Sequence, residues 1–199
     1  MRAGIVEMAM AAGQAFSGKA NDIGVVGFRA EDDPLTRVAQ FRNTGFGYSL
    51  IGNYDTWESF RDRAIVPARQ FLALPGVGQI KRVALRYVNV IQFPGPRVDL
   101  DEYLPAAPKV PTELPQVVGS FLSRIVLPIP DARLVAIITQ AIDESARPTP
   151  SVILDIDVYY QEVLAADMDA VLPILETIRT WKNKIFFSFV NEKTVRLHS

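Results

Sequence analysis

The sequence predicts an α+β fold: an antiparallel or mixed curved sheet of about seven strands, with two long helices packed on one face. Three observations carry this expectation. Short apolar segments of period two, separated by turn chemistry, fill 23–51 and recur between 82 and 160. The period changes to about 3.6 in two places, from Trp57 to Leu72 and from Val171 to Phe189. Strands run in series before each helix closes the run, which argues against a doubly wound parallel sheet, where strand and helix alternate.

Taken in order, IGVVGFRA at 23–30 and TRVAQFR at 36–42 form a hairpin across the acidic, proline-bearing EDDP turn. Asn43-Thr44-Gly45 turns the chain again, because Asn and Gly tolerate positive φ, and FGYSLI at 46–51 alternates Phe46, Tyr48 and Leu50 on one face. The first helix carries Trp57, Phe60, Ala64, Ala68, Phe71 and Leu72 on one stripe. Asp55 is its expected cap, with Glu58 completing a capping box, and Pro67 is expected to kink or break it near Ile65.

RVALRYVNVIQFP at 82–94 is the next strand. From Pro94 to Pro115 the chain holds six of its fourteen prolines, too many for a packed helix or central strand, so 94–116 reads as an extended surface connection. It joins two halves of similar plan, 1–93 and 117–199, within one compact domain spanning 1–199. VVGSFLSRIVLPIP and ARLVAIITQAID form a hairpin around Pro130-Asp131, and SVILDIDVYY at 151–160 is the last strand. The second helix starts at Asp167 or Asp169 and buries Val171, Ile174, Leu175, Ile178, Trp181, Ile185, Phe186 and Phe189. Asn191 caps a short terminal helix, with Glu192 near the positive end of its dipole.

The totals narrow the function classes. A chain of 199 residues with 49% hydrophobic and 22% charged residues has the profile of a folded globular protein. A formal net charge of -1 provides no global basic field, so nucleic acid is not an expected partner. There is no cysteine, hence no disulfide or thiolate metal site, which fits a cytoplasmic protein. Glu7 interrupts the short apolar opening, no stretch is long enough for a membrane span, and neither secretion nor membrane association is expected. The only histidine, His198, is next to last, which leaves no Ser-His or Cys-His pair to build; phosphate-loop, dinucleotide, HExxH and EF-hand patterns are absent.

What remains is one polar face. In 82–93 the odd residues Val83, Leu85, Tyr87, Asn89, Ile91 and Phe93 share the core-like side, while Arg82 and Arg86 lie on the other. In ILDIDVYY the even residues are apolar, and Asp155 and Asp157 lie opposite them. Paired in one sheet, Arg82, Arg86, Asp155 and Asp157 emerge together. Three readings follow: a site where guanidinium forks hold an anion and the aspartates orient it; cross-strand ion pairs on a solvated face, the commonplace outcome; and a Mg²⁺ site on the two aspartates, for which further acidic ligands are not evident. Asn89, on the apolar side, is a structural polar residue that needs partners such as helix-end backbone groups.

These same residues carry a resemblance. QFR-x-x-GF (Gln40, Phe41, Gly45, Phe46), Tyr-x-x-Trp (Tyr54, Trp57), R-x-x-x-RY-x-N (Arg82, Arg86, Tyr87, Asn89), the LDID strand (Asp155, Asp157) and the terminal KNKIFFSFVNEKT together resemble an uncharacterised, sporadically distributed prokaryotic family. The match covers about 38–194 and departs at Val90-Ile91, where members carry a further arginine. The family has no established function, so the resemblance implies neither a catalytic residue nor a cofactor. The sequence leads to a non-catalytic binding or protein-interaction module, partnered with the product of a neighbouring gene or forming a homo-oligomer. The alternative is a small-molecule or nucleotide-handling enzyme that uses the polar sheet face.

Overall fold

The structure is a computed structural model that describes residues 2–9, 17–32, 36–52, 54–95, 98–145 and 149–197, with side chains from Val26 onward. His198 and parts of the EDDP and Arg-Pro-Thr-Pro turns lie outside the described residues. The class is α+β, with three α-helices among the described residues, and the chain divides into two compact units, 1–78 and 79–199. The expected strands do not pair as one sheet of seven. Among the described residues they fall into a three-stranded and a four-stranded antiparallel sheet, accompanied by two two-stranded ladders.

In the first unit, β1 (Arg2–Ala9) and β2 (Ser17–Val25) form a hairpin that takes in residues 23–25 of the expected first strand. β3 (Gly27–Glu31), β4 (Arg37–Arg42) and β5 (Gly45–Leu50) form the meander that the turn residues predict. Gly27 is required at its position: a Cβ there would sit 2.0 Å from the Phe41 carbonyl oxygen on β4. Helix α1 (Trp57–Leu72) follows. Its cap is Thr56 rather than Asp55, the Thr56 side chain accepting from the Ser59 amide at 3.1 Å, which makes buried Trp57 the first helical residue.

Of the expected kink or break near Ile65, the break does not occur: the helix continues through Pro67. Aromatic contacts hold it on both sides of the proline. Phe60 lies 5.5 Å from Tyr48 and Phe71 lies 6.0 Å from Phe46, ring centroid to centroid, both partners coming from β5.

The second unit begins with β6 (Gln79–Ile80), paired to β11 (Leu164–Ala165). Its main sheet has the order β7-β10-β9-β8, formed by β7 (Val83–Gln92), β8 (Leu122–Ile129), β9 (Leu134–Ile142) and β10 (Ser151–Tyr160). β7 therefore belongs with the later strands, and the 94–116 connection lies inside this unit. Helix α2 (Met168–Phe189) packs on β10 and β7, capped by Asp167, which accepts from the Asp169 amide. Val152, Leu154, Ile156 and Val158 of β10 face it, essentially inaccessible to water. α3 (Glu192–Leu197) is capped by Asn191 through the Thr194 amide, as predicted.

The proline-rich connection corrects another expectation. It is not a purely surface segment: Tyr103, Leu104 and Ala107 are buried around a short 3-10 turn at Leu100–Glu102. Phe93 stacks on Tyr103 at 5.1 Å, and the corner between α2 and α3 clasps the backbone. The Thr194 hydroxyl donates to the Tyr103 carbonyl at 2.6 Å and the Asn191 side-chain amide donates to the Glu102 carbonyl at 2.6 Å. Prolines keep the segment extended; Tyr103 and Leu104 dock it.

Candidate functional site

The outer face of the four-stranded sheet can be read from its register. On it Val90, Ile153, Ala141 and Leu122 form one cross-strand row; Val88, Asp155, Thr139 and Arg124 form the next; Arg86, Asp157, Ile137 and Val126 form a third. Period-two alternation puts all four charged residues singled out by the sequence on this face, together with Arg124, which the sequence did not single out.

The four are joined as two ion pairs, and the pairing is diagonal. Arg86 lies opposite Asp157 in register, yet its guanidinium reaches Asp155, with Nε at 2.9 and 3.1 Å from the two oxygens and Nη2 at 2.6 Å from Oδ2. Arg82 Nη2 bonds Asp157 Oδ2 at 2.8 Å, and its guanidinium lies 4.4 Å from the Tyr159 ring centroid. The hydrogen bonds that Arg86 donates to Asp155 stabilise its charged form and push its pKa above the usual arginine value. The arginine side chains remain 47% and 63% exposed, so these are surface pairs between neighbouring strands, with each guanidinium already holding a carboxylate.

The chemistry available to this arrangement is limited. An incoming anion must displace a carboxylate from a fork, and a cation must displace a guanidinium from each aspartate. No group of three or more His, Asp or Glu side chains among the described residues is placed to hold a metal ion. Around the pairs the face is apolar: Val88 is 57% exposed and Val126 is 50% exposed. No family model, curated protein or solved structure matches this chain.

On the opposite, core-facing side, Asn89 finds a partner other than a helix end. Its Nδ2 donates to the Leu154 carbonyl on the neighbouring strand at 3.0 Å. Gln140 shares its register row, is 1% exposed, and has neither amide atom hydrogen-bonded among the described residues. The alternation of Leu134, Ala136, Ile138 and Gln140 in β9 is the signal that could have revealed it. Lys182 of α2 is likewise half-buried, its Nζ 3.9 Å from the Tyr87 ring centroid. Desolvation, assisted by nearby Arg179, lowers its pKa to about 8. A separate cleft of about 410 Å³ at the α2–α3 corner is lined by Phe187, Val190, Asn191 and Val195 with the ion-paired Glu192 and Arg196.

Proposed function

We propose that the protein is a non-catalytic interaction module that binds another protein, either the product of a neighbouring gene or a second copy of this chain. The observation that carries this reading is the pairing of opposite charges on the outer sheet face, in which only the Oδ1 atom of Asp157 is buried without a hydrogen-bond partner among the described residues. Arg82 and Arg86 are engaged by Asp157 and Asp155, while the apolar side chains around them stay exposed. Such a face offers apolar contact area with embedded, self-neutralised pairs, which suits a protein surface better than a small anion. The resemblance to a sporadically distributed prokaryotic family of no established activity, and the cytoplasmic setting expected of a cysteine-free chain, belong to the same proposal. No helix among the described residues is long and apolar enough to cross a membrane.

Thermal stability measured with nucleotides and inorganic phosphate tests the reading. The melting temperature is expected to stay unchanged. A saturable rise that disappears in Arg86→Ala would replace it with the alternative, a small-molecule or nucleotide-handling enzyme whose arginines exchange their aspartates for an anion.

A further inference from the structure

β7 and β8 are the two outer strands of the main sheet, and β8 is the more open. Leu122 is 74% exposed, Val126 50%, and Ile125 and Leu127 42% each, so the strand presents large apolar side chains on both faces. Among the described residues, no strand pairs with its outer edge. The Phe121 carbonyl accepts from the Ile142 amide of β9 at 3.3 Å. The alternation of an antiparallel ladder then directs the odd residues of β8 toward β9 and leaves the amides of Leu122, Arg124 and Val126 facing outward. Pro128 falls on the same outward phase, where a missing amide is tolerated.

We propose that a second copy of this chain pairs with this edge, β8 against β8 across a two-fold axis, joining two four-stranded sheets into one continuous antiparallel sheet. This rests on the interaction-module reading and names its partner. An unpaired apolar edge is a template for another strand, and an antiparallel edge pairing with itself is closed and isologous. The register follows from two residues. Setting the axis at Arg124 would oppose two like charges in a directly paired position, which destabilises a ladder. Setting it at Val126 would waste the free amides against Pro128.

An axis at Ile125 avoids both faults. Arg124 and Val126 then exchange both backbone bonds with each other's copies, Leu122 donates to the Pro128 carbonyl, and Ile125 meets its own copy in the close, non-hydrogen-bonded position. Arg124, which makes no ion pair among the described residues, extends over Val126 of the partner. Arginine and proline are common protections of a sheet edge; in this register neither opposes pairing.

Sedimentation equilibrium of the full chain tests the arrangement with substitutions at exposed Val126, chosen to leave the fold intact. The wild type is expected to be a reversible dimer. Val126→Arg sets one arginine against each of the two Arg124 side chains and is expected to weaken the dimer about tenfold, because symmetry repeats the contact. Val126→Glu sets an opposite charge there and is expected to match or tighten the wild type. Circular dichroism of each variant is expected to overlay that of the wild type. A monomer at every concentration, a dimer insensitive to both substitutions, or equal weakening by both would overturn the proposal. A monomer overturns the β8 pairing alone, whereas phosphate-dependent stabilisation lost in Arg86→Ala overturns the interaction reading beneath it.

Discussion

Among the described residues, β7 and β8 are both hydrogen-bonded on one side only, yet they have opposite characters. β7 buries Val83, Leu85 and Ile91 beneath α2, and its outward charges are tied to β10. β8 buries only Ile129 among its apolar residues, while α2 packs mainly on β10 and β7. An outer position in a sheet therefore does not by itself make a strand adhesive. What matters is whether one face is covered and the outward charges are paired, as on β7, or whether both faces stay open, as on β8.

The sharpest test of this contrast is a pair of matched truncations. Leu85→Ala in β7 is expected to cost about 2–4 kcal/mol in urea unfolding, because it leaves a cavity under α2. Ile125→Ala in β8, measured at low protein concentration, is expected to cost less than about 1 kcal/mol. Equal losses would show that β8 is as well covered as β7 and would break the comparison.

Gln140 lies one strand in from β8, and its buried amide has no partner among the described residues. Gln140→Met is expected to stabilise the fold by about 1–3 kcal/mol, the desolvation penalty of an unmet polar group. A loss of stability in denaturant titration would mean that the amide is satisfied. On the β7 side, Lys182 supplies a pH-dependent test. Its pKa falls from an ordinary 10.5 to about 8 in the folded state, so the unfolded chain binds more protons between those values and stability rises with pH across that window.

The penalty for burying charged Lys182 is thus fully present below about pH 8 and is relieved toward 10.5. Allowing for partial exposure and the favourable contact with the Tyr87 ring, Lys182→Met is expected to gain about 1 kcal/mol at neutral pH. That gain should shrink as unfolding is repeated at increasing pH. The smallest expected effect is at Arg86, where Arg86→Ala is expected to cost about 0.5 kcal/mol, with a difference that diminishes at high salt. A loss several times larger would mean that the ion pair closes the β7 edge more firmly than a surface pair can.

Much of the local structure was legible because it depends on neighbours in sequence. Period-two runs place Arg82, Arg86, Asp155 and Asp157 on one face, and the residues around Asp167 and Asn191 announce the starts of α2 and α3. The cap of α1 shifts by one residue because Asp55 and Thr56 are both competent, and only the burial of Trp57 separates them. The connection at 94–116 was harder to read. Proline content reports extension, but burial of Tyr103 and Leu104 depends on Asn191 and Thr194 arriving from the far end of the chain.

By itself, the sequence determined alternation, helix phase, turn positions and the absence of familiar catalytic patterns, since each follows from bonding and sterics within a few residues. Only the tertiary structure decided that Arg86 takes Asp155 rather than the facing Asp157, that Asn89 bonds a strand carbonyl, and that β7 and β8 become the edges. The reason is register. Strands distant in sequence meet through long-range pairing, and their side-chain partners depend on the position at which the ladders lock.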